Sequence, residues 1–204
     1  MDHAHVFLFD PLQIEREKVR TEAVRHAVFK PRGRIQYDFG TVEAPSSISE
    51  NGTGFGSEAR RIRLGAAGNM PGGFGYKLEV ELADNDVDLT DAFFTYKDGG
   101  LTVKLGQYNP YQSLEEVSSS NNTSFIERAA FTDGFGFQRQ AGIGVEYKTG
   151  DLLLQTGVFT DNIGDLDDDQ NNTIGTSTRV VFQPQLGEAK LHLGGSFHWR
   201  DLGD

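Results

Sequence analysis

Acidic side chains in one segment of this chain have a spacing that could support metal chemistry. The run DNIGDLDDDQNN places carboxylates at Asp165, Asp167 and Asp169, the spacing of the first calcium ligands in an EF-hand loop. The sixth position of that loop is Gln170 instead of glycine, and the twelfth is Thr176 instead of glutamate. Because the turn residue and the bidentate ligand are both missing, we interpret the run as a solvated acidic loop. Loose contact with divalent cations is the alternative.

Histidine, cysteine and glycine patterns give no further chemical site. His3 and His5 lie near the start of the chain, where a weak metal contact is an accident of sequence. His192 and His198 would share one strand face but lie about 20 Å apart, at about 3.3 Å per residue, so they cannot share an ion. The chain has no cysteine, and no nucleophile–base constellation stands out. We therefore predict no enzyme, no resident metal and no cofactor.

The remaining chemistry is electrostatic and depends on which strand face each charge occupies. One predicted face carries ten basic and five acidic side chains, a net charge of about +5 in a chain of −11. The bases are Arg32, Arg34, Arg61, Arg63, Lys77, Lys104, Lys148, Arg179, Lys190 and Arg200, and the acids are Asp38, Glu79, Glu81, Asp91 and Glu146. Such a wall attracts anions, since low-dielectric surroundings focus its field. Alternatively, these bases pair with the acids across strands and only solvate the wall.

These charges require strands with two unlike faces, and the sequence has that pattern from residue 32 onward. Ala141, Ile143, Val145 and Tyr147 alternate with polar residues or glycine, and strict alternation is typical of a half-buried strand. The nine predicted strands are Arg32–Phe39, Ala59–Gly68, Phe74–Leu82, Val87–Tyr96, Leu101–Tyr108, Arg139–Lys148, Leu152–Thr160, Thr176–Phe182 and Ala189–Trp199. In the fourth, the adjacent Phe93 and Phe94 break the alternation and suggest a bulge.

The connections between these strands alternate in length. Those after the second, fourth, sixth and eighth strands are compact, whereas those after the first, fifth and seventh are long. Only the connection after the third strand, ADND, departs from the rule by being short. Aromatic residues cluster near both strand ends, as they do where a barrel wall crosses the two interfaces of a bilayer. The pattern predicts an all-β, antiparallel up-and-down transmembrane barrel, with a soluble sandwich as the alternative.

Residues 1–30 have a different character from the rest of the chain. Leu12–Phe29 places apolar residues on one face among charged ones, which predicts a short amphipathic helix before a partial barrel over residues 31–204. No run approaches the roughly 18 apolar residues of a membrane helix. The start lacks an export signal, so either the chain is cytosolic or its true start is missing. The acidic balance argues against nucleic acid as a partner.

Six sequence pieces together resemble the phosphate-selective porin O and P family of Gram-negative outer membranes. They are RRIRLG at Arg60–Gly65, FGYKLEVE at Phe74–Glu81, LTDAFFTYK at Leu89–Lys97, LTVKLGQY at Leu101–Tyr108, SLEEVSSS at Ser113–Ser120 and FIERAAF at Phe125–Phe131. The resemblance implies a sixteen-stranded homotrimeric barrel for passive diffusion of small anions, in contact with outer-membrane lipid and lipopolysaccharide. It also implies an inward loop after the fifth strand, with Asn109, Glu115, Glu116, Glu127 and Arg128 as constriction residues.

The chain departs from the family pattern in its number of strands and in the charge of its inward loop, and these departures modify the predicted function. Nine strands resemble the N-terminal half of a barrel, and an unpaired edge in lipid is costly. Asn109 stands where family members often carry lysine, and Arg128 is the loop's only base between Asn109 and Gln138. We therefore predict an outer-membrane porin for small hydrophilic solutes with only weak anion, or phosphate, preference. The alternatives are a soluble β-rich binding or interaction protein and a non-functional barrel fragment.

Overall fold

A computed structural model describes residues 27–42, 47, 54–83, 86–122, 125, 127–166 and 172–201. Nine of its strands form one antiparallel sheet in which sequence neighbours are spatial neighbours throughout. These are β1 Val28–Val42, β2 Gly54–Met70, β3 Phe74–Glu81, β4 Asp88–Asp98, β5 Leu101–Tyr108, β6 Gln140–Thr149, β7 Leu152–Phe159, β8 Ile174–Phe182 and β11 Leu193–Asp201. The two-residue strands β9 Gln185–Leu186 and β10 Ala189–Lys190 form a separate hairpin between β8 and β11. The all-β, up-and-down prediction is confirmed.

Compact turns join the strand pairs at one end of the sheet. The β4–β5 turn consists of Gly99 and Gly100, and the β6–β7 turn consists of Gly150 and Asp151. Gly99 and Gly150 have positive φ angles of 55° and 53°, the backbone region in which glycine is the least strained residue. Long connections lie at the other end. The longest of them, 109–138, contains helical turns at Leu114–Val117 and Phe131–Gly134, and we call it the inward loop.

Apolar side chains point away from the sheet's polar face and remain exposed. The exposed fractions of Leu78, Ile143 and Leu193 are 52%, 50% and 53%, so these side chains do not meet in a protein core. Ionic and amide side chains on the opposite face, such as Glu79 and Gln155, are instead buried. This polarity is the reverse of a water-soluble protein and is that of a partial porin-type barrel wall. Among the described residues, no helix is long and apolar enough to cross a membrane.

The fourth strand resolves the ambiguity of its adjacent phenylalanines. Phe94 points outward, while Phe93 packs against a buried aromatic cluster on the polar face. The β3–β4 register shifts between Glu79 and Val80, which accommodates an extra residue on β4. The predicted irregularity is therefore confirmed, with Thr90 as the extra residue. Asp91 lies on the polar face beside Glu79 by the same alternation as Phe93, and the shift brings Leu89 opposite Val80.

Several strand boundaries differ from the sequence prediction. β1 and β2 begin at Val28 and Gly54, earlier than the predicted Arg32 and Ala59. The predicted ninth strand, Ala189–Trp199, is split, because Gly187 adopts a positive φ of 63° and turns the chain so that Ala189 and Lys190 pair with β9. Lys190 therefore lies outside the nine-stranded sheet, which corrects its predicted place on the wall. The predicted helix Leu12–Phe29 lies outside the described residues except at its last positions. Val28 and Phe29 belong to β1, so the helix prediction is wrong at those two positions.

Candidate functional site

The inward loop lies against the polar face and contacts both edges of the sheet. Arg34 of β1 donates to Ser120 Oγ at 2.7 Å, and Gln112 lies 3.5 Å from His198 of β11. In a flat sheet, eight spacings of about 4.8 Å would separate β1 from β11 by about 38 Å. The eight Cα–Cα steps from Gln112 to Ser120 reach at most about 29 Å, and the helical turn within them shortens that reach. The contacting side chains, above all the long one of Arg34, extend this reach, so the loop spans the polar face from β1 to β11. We call this face the inner one.

A cavity of about 340 Å³ lies between the inward loop and the wall. Seven basic and three acidic side chains line it, a net formal charge of +4. The bases are Arg32, Arg34, Arg63, Lys77, Lys104, Arg128 and Arg139, and the acids are Glu79, Asp91 and Glu146. Five of the ten predicted wall bases are thus brought together around one space.

Most bases of this cavity are paired with acids on neighbouring strands. Arg63 Nε lies 2.6 Å from Glu81, and Lys77 and Arg139 share Asp91 at 2.5 and 3.1 Å. The alternative of cross-strand pairing therefore describes a large part of the wall. These ion pairs hold the charged side chains of the inner face in place, and each acid cancels most of the electric field of the base that it binds.

Two cavity bases on β1 have no such partner. Arg34 donates to the neutral oxygens of Ser120 and Asn121, at 2.7 and 2.8 Å. In the part of the chain that the structure describes, neither Arg32 nor Arg34 has a carboxylate within 4.0 Å. The excess positive charge of the cavity is therefore concentrated beside the β1 edge.

The other predicted wall bases lie away from this cavity. Lys148 lies at the compact-turn end, where it lines a separate cavity with Lys97. Arg179 is buried on the inner face and donates to Gln155 at 2.9 Å. Arg200 pairs with Asp161 and donates to Thr173 at 2.9 Å near the long-loop end.

A second cavity, of about 650 Å³, lies on the long-loop side of the inward loop and has the opposite charge balance. Four bases and five acids line it, a net formal charge of −1. The bases are Arg61, Arg63, Arg128 and Arg139, and the acids are Asp88, Glu116, Glu127, Asp133 and Asp165. The sign of the lining therefore changes across the loop.

An aromatic cluster fixes the start of the inward loop to the wall, and we call it the aromatic anchor. It consists of Tyr108, Tyr111 and Phe159, each 2% exposed, with ring centroids 5.4 to 6.1 Å apart. Tyr111 Oη donates to Glu146 at 3.2 Å, and Lys104 Nζ lies 4.6 Å from the Tyr108 ring centroid. Burial raises the pKa of the Tyr111 hydroxyl, so this group stays protonated and remains a donor.

The predicted constriction residues mostly hold the loop's own shape. Arg128 donates to the carbonyl oxygens of Glu115 and Ser118, at 2.9 and 2.6 Å, and lies 3.8 Å from the Glu116 carboxylate. Asn109 donates to the Glu116 carbonyl at 2.9 Å. Burial raises the pKa of Glu116, and Arg128 partly offsets that effect. The single base of the loop is thus engaged in clamping its backbone.

The far part of the loop is attached through Glu127, by contacts that we call the ionic tether. Its carboxylate lies 2.6 Å from Arg60 and 3.0 Å from Arg61, both on β2, and its side chain is 53% exposed. Partial burial would raise the pKa of Glu127, but the hydrogen bonds from Arg61 and Arg60 lower it to about 2. The tether therefore stays ionised at physiological pH.

Sequence reasoning missed several residues of this site. Arg139 lines both cavities although it precedes β6, and Arg60 joins the tether from a position outside the predicted inner face. Tyr111 was not singled out because its burial depends on a partner strand far along the chain. Asp167 and Asp169 of the acidic run lie outside the described residues.

This arrangement is a partial antiparallel barrel wall with a polar interior and a loop folded into it, the architecture of a porin. Comparison with known families agrees: the model of the family Phosphate-selective porin O and P matches residues 29–204. The chain belongs to that family. It is 47% identical over 182 residues to an uncharacterized protein of Caulobacter vibrioides, a match that covers 85% of this chain. The chain spans 37% of that relative's length.

Proposed function

We propose that this protein is an outer-membrane porin through which small hydrophilic solutes diffuse passively, with a weak preference for anions. The observation that carries the proposal is the net charge of +4 around the cavity between loop and wall. Solutes passing the inward loop would meet this lining, where low-dielectric surroundings strengthen its field. We assign the constriction to the loop residues Asn109, Glu115, Glu116, Glu127 and Arg128 together with the wall opposite them.

The preference is weak for two structural reasons. Five of the seven bases that line the first cavity have carboxylate partners, so its anion-attracting charge reduces largely to Arg32 and Arg34. The second cavity has a net charge of −1, so an anion arriving from the long-loop side first meets an unfavourable field. Phosphate is one of the anions that such a pore would pass, without a dedicated site.

Family membership supports the remaining parts of the proposal. The porin would lie in the outer membrane of a Gram-negative cell, with its exposed apolar face against lipid and its long loops near lipopolysaccharide. It would assemble as a homotrimer, and nucleic acid is not a partner. A soluble β-rich binding protein fits less well, since it would bury side chains such as Leu78 and Ile143.

The test is the reversal potential in planar bilayers with unequal salt on the two sides. We expect protein extracted from outer membranes to give a reversal potential that favours anions. Arg32→Gln with Arg34→Gln should move that potential toward the cation value, since these bases have no carboxylate partner among the residues that the structure describes. Glu188→Gln, in the exposed β9–β10 hairpin, changes the net charge by one and should leave the reversal potential unchanged.

Two outcomes would contradict the proposal. A wild-type reversal potential that favours cations would refute the anion preference while leaving a channel. A protein that purifies from cytosol as a monomer without detergent would refute the porin itself, since the exposed apolar face could not remain in water.

A further inference from the structure

The start of the inward loop lies in a depression that exists only because β6 carries a glycine. A Cβ atom built on Gly144 would lie 2.4 Å from Tyr108 Oη, 2.5 Å from Tyr111 Oη and 2.8 Å from Tyr111 Cε2, closer than real Cβ contacts allow. Tyr108 is the last residue of β5, so Tyr111 is the residue of the inward loop that occupies this depression. The Tyr111 ring therefore rests directly on the backbone of the wall. On β7, Gly157 similarly makes room for the Phe159 ring, since its Cβ would lie 2.8 Å from Phe159 Cε2.

The anchored residues are linked directly to the part of the loop that lines the cavity. Gln112 follows Tyr111 and is 3% exposed, and the Ser113 side chain accepts from Glu116 N at 3.1 Å to begin the helical turn Leu114–Val117. The next residues, Val117–Asn121, line the cavity. A shift of the Tyr111 ring would therefore be transmitted through a short, hydrogen-bonded segment to the cavity lining.

We infer that Tyr111 is the positioning residue of the inward loop, and that Gly144 is the wall position that sets how deeply the ring sits. Together they would fix the distance between loop and wall and thus the largest solute that passes. This inference rests on the proposed function, because a size limit has meaning only for a channel. Tyr111 acts through the loop and need not touch the solute.

The first experiment compares single-channel conductance across matched variants. Tyr111→Ala removes the ring and Gly144→Ala prevents it from seating, so each should raise conductance roughly twofold, because conduction follows the width of the narrowest section. Tyr111→Phe keeps the ring and should stay close to wild type. The control is Gly194→Ala on the inner face of β11, where a Cβ atom has no neighbour closer than 3.4 Å.

The double variant separates anchoring from general damage. Because a Cβ on Gly144 would also meet the Tyr108 hydroxyl, the comparison is made in a Tyr108→Phe background, which removes that atom. If ring and depression act as one unit, adding Gly144→Ala to Tyr111→Ala in this background should leave the conductance of Tyr111→Ala unchanged, because residues in contact do not contribute additively. Additive increases would show that the two substitutions act independently and would overturn the inference.

A second readout does not require a channel. The chain has no cysteine, so Ser119→Cys offers a single position for a nitroxide spin label on the loop. The label should become more mobile with Tyr111→Ala and Gly144→Ala but not with Tyr111→Phe. If wild type fails to conduct, the proposed function fails while label mobility still tests the anchor. If wild type conducts and neither variant changes conductance or mobility, the inference fails while the porin stands.

Discussion

The inward loop is attached to the wall at two places that differ in their physics. The aromatic anchor is shielded from solvent, since its three rings are each 2% exposed. The ionic tether is open to solvent, since the Glu127 side chain is 53% exposed beside its two arginines. Apolar packing in a buried site hardly depends on salt, whereas an exposed ion pair is screened and contributes little. The comparison indicates that the anchor holds the loop and the tether only biases its far part.

The largest expected effect comes from removing one ring of the aromatic anchor. Phe159→Ala should lower the free energy of unfolding by about 3–5 kcal/mol, the range for large-to-small changes at well-packed aromatic sites. Phe94→Ala, on the outward face, is the matched control and should cost less, since Phe94 is 62% exposed to the surrounding detergent and its removal leaves no internal cavity. The measurement is urea-induced unfolding of protein folded in detergent micelles. Equal losses for the two variants would show that the anchor is not a packed core.

A smaller effect is expected at the tether. Glu127→Gln should increase the mobility of a spin label at Ser119→Cys in 0.1 M salt, because the carboxylate no longer binds Arg60 and Arg61. The difference from wild type should shrink in 1 M salt, where the Debye length falls to about 3 Å. Glu58→Gln, which changes an exposed glutamate of β2, is the control. A difference that is equally large at both salt concentrations would argue that Glu127 acts by packing.

The smallest effect is the pH dependence of the tether. The folded-state pKa of Glu127 is about 2, below the ordinary value of about 4.3, so its stabilising contribution is present above the ordinary value. That contribution is lost as pH falls from about 4.3 through about 2. Wild-type label mobility should therefore stay constant from pH 8 to pH 5 and rise only below that window. The Glu127→Gln variant should lack that rise, and a wild-type transition near pH 6 would contradict this assignment.

Much of the fold was predictable because apolar and polar residues alternate along each strand and so identify its two faces. Ile143 and Glu146 occupy odd and even positions of one alternating run, so their opposite faces follow from the period of two. The split of the ninth strand was missed because it depends on the conformation of Gly187 and on pairing between β9 and β10. Lys190 occupies an alternating position that would place it on the inner face, but it belongs to the β9–β10 hairpin and not to the nine-stranded sheet.

The site was predictable in composition more than in geometry. The sequence prediction named most of the bases and acids that line the first cavity, but it missed Arg139. Cross-strand pairing was one of its alternatives, yet it did not indicate which acid neutralises which base. Lys77 and Arg139 share Asp91 only because the sheet brings β3, β4 and the approach to β6 together. The concentration of unpaired charge at Arg32 and Arg34 follows from that pairing, and no periodicity in β1 indicates it.

The sequence by itself determined most of the strands, their order and the face of most wall side chains, because these depend on alternation and on turns between neighbouring residues. Only the tertiary structure decided where the loop rests and which charges neutralise each other. Tyr111 and Gly144 are 33 positions apart, and the depression that receives the ring is defined by an atom that glycine lacks. A contact of that kind arises when the loop folds back onto the sheet, and it leaves no local pattern in the chain.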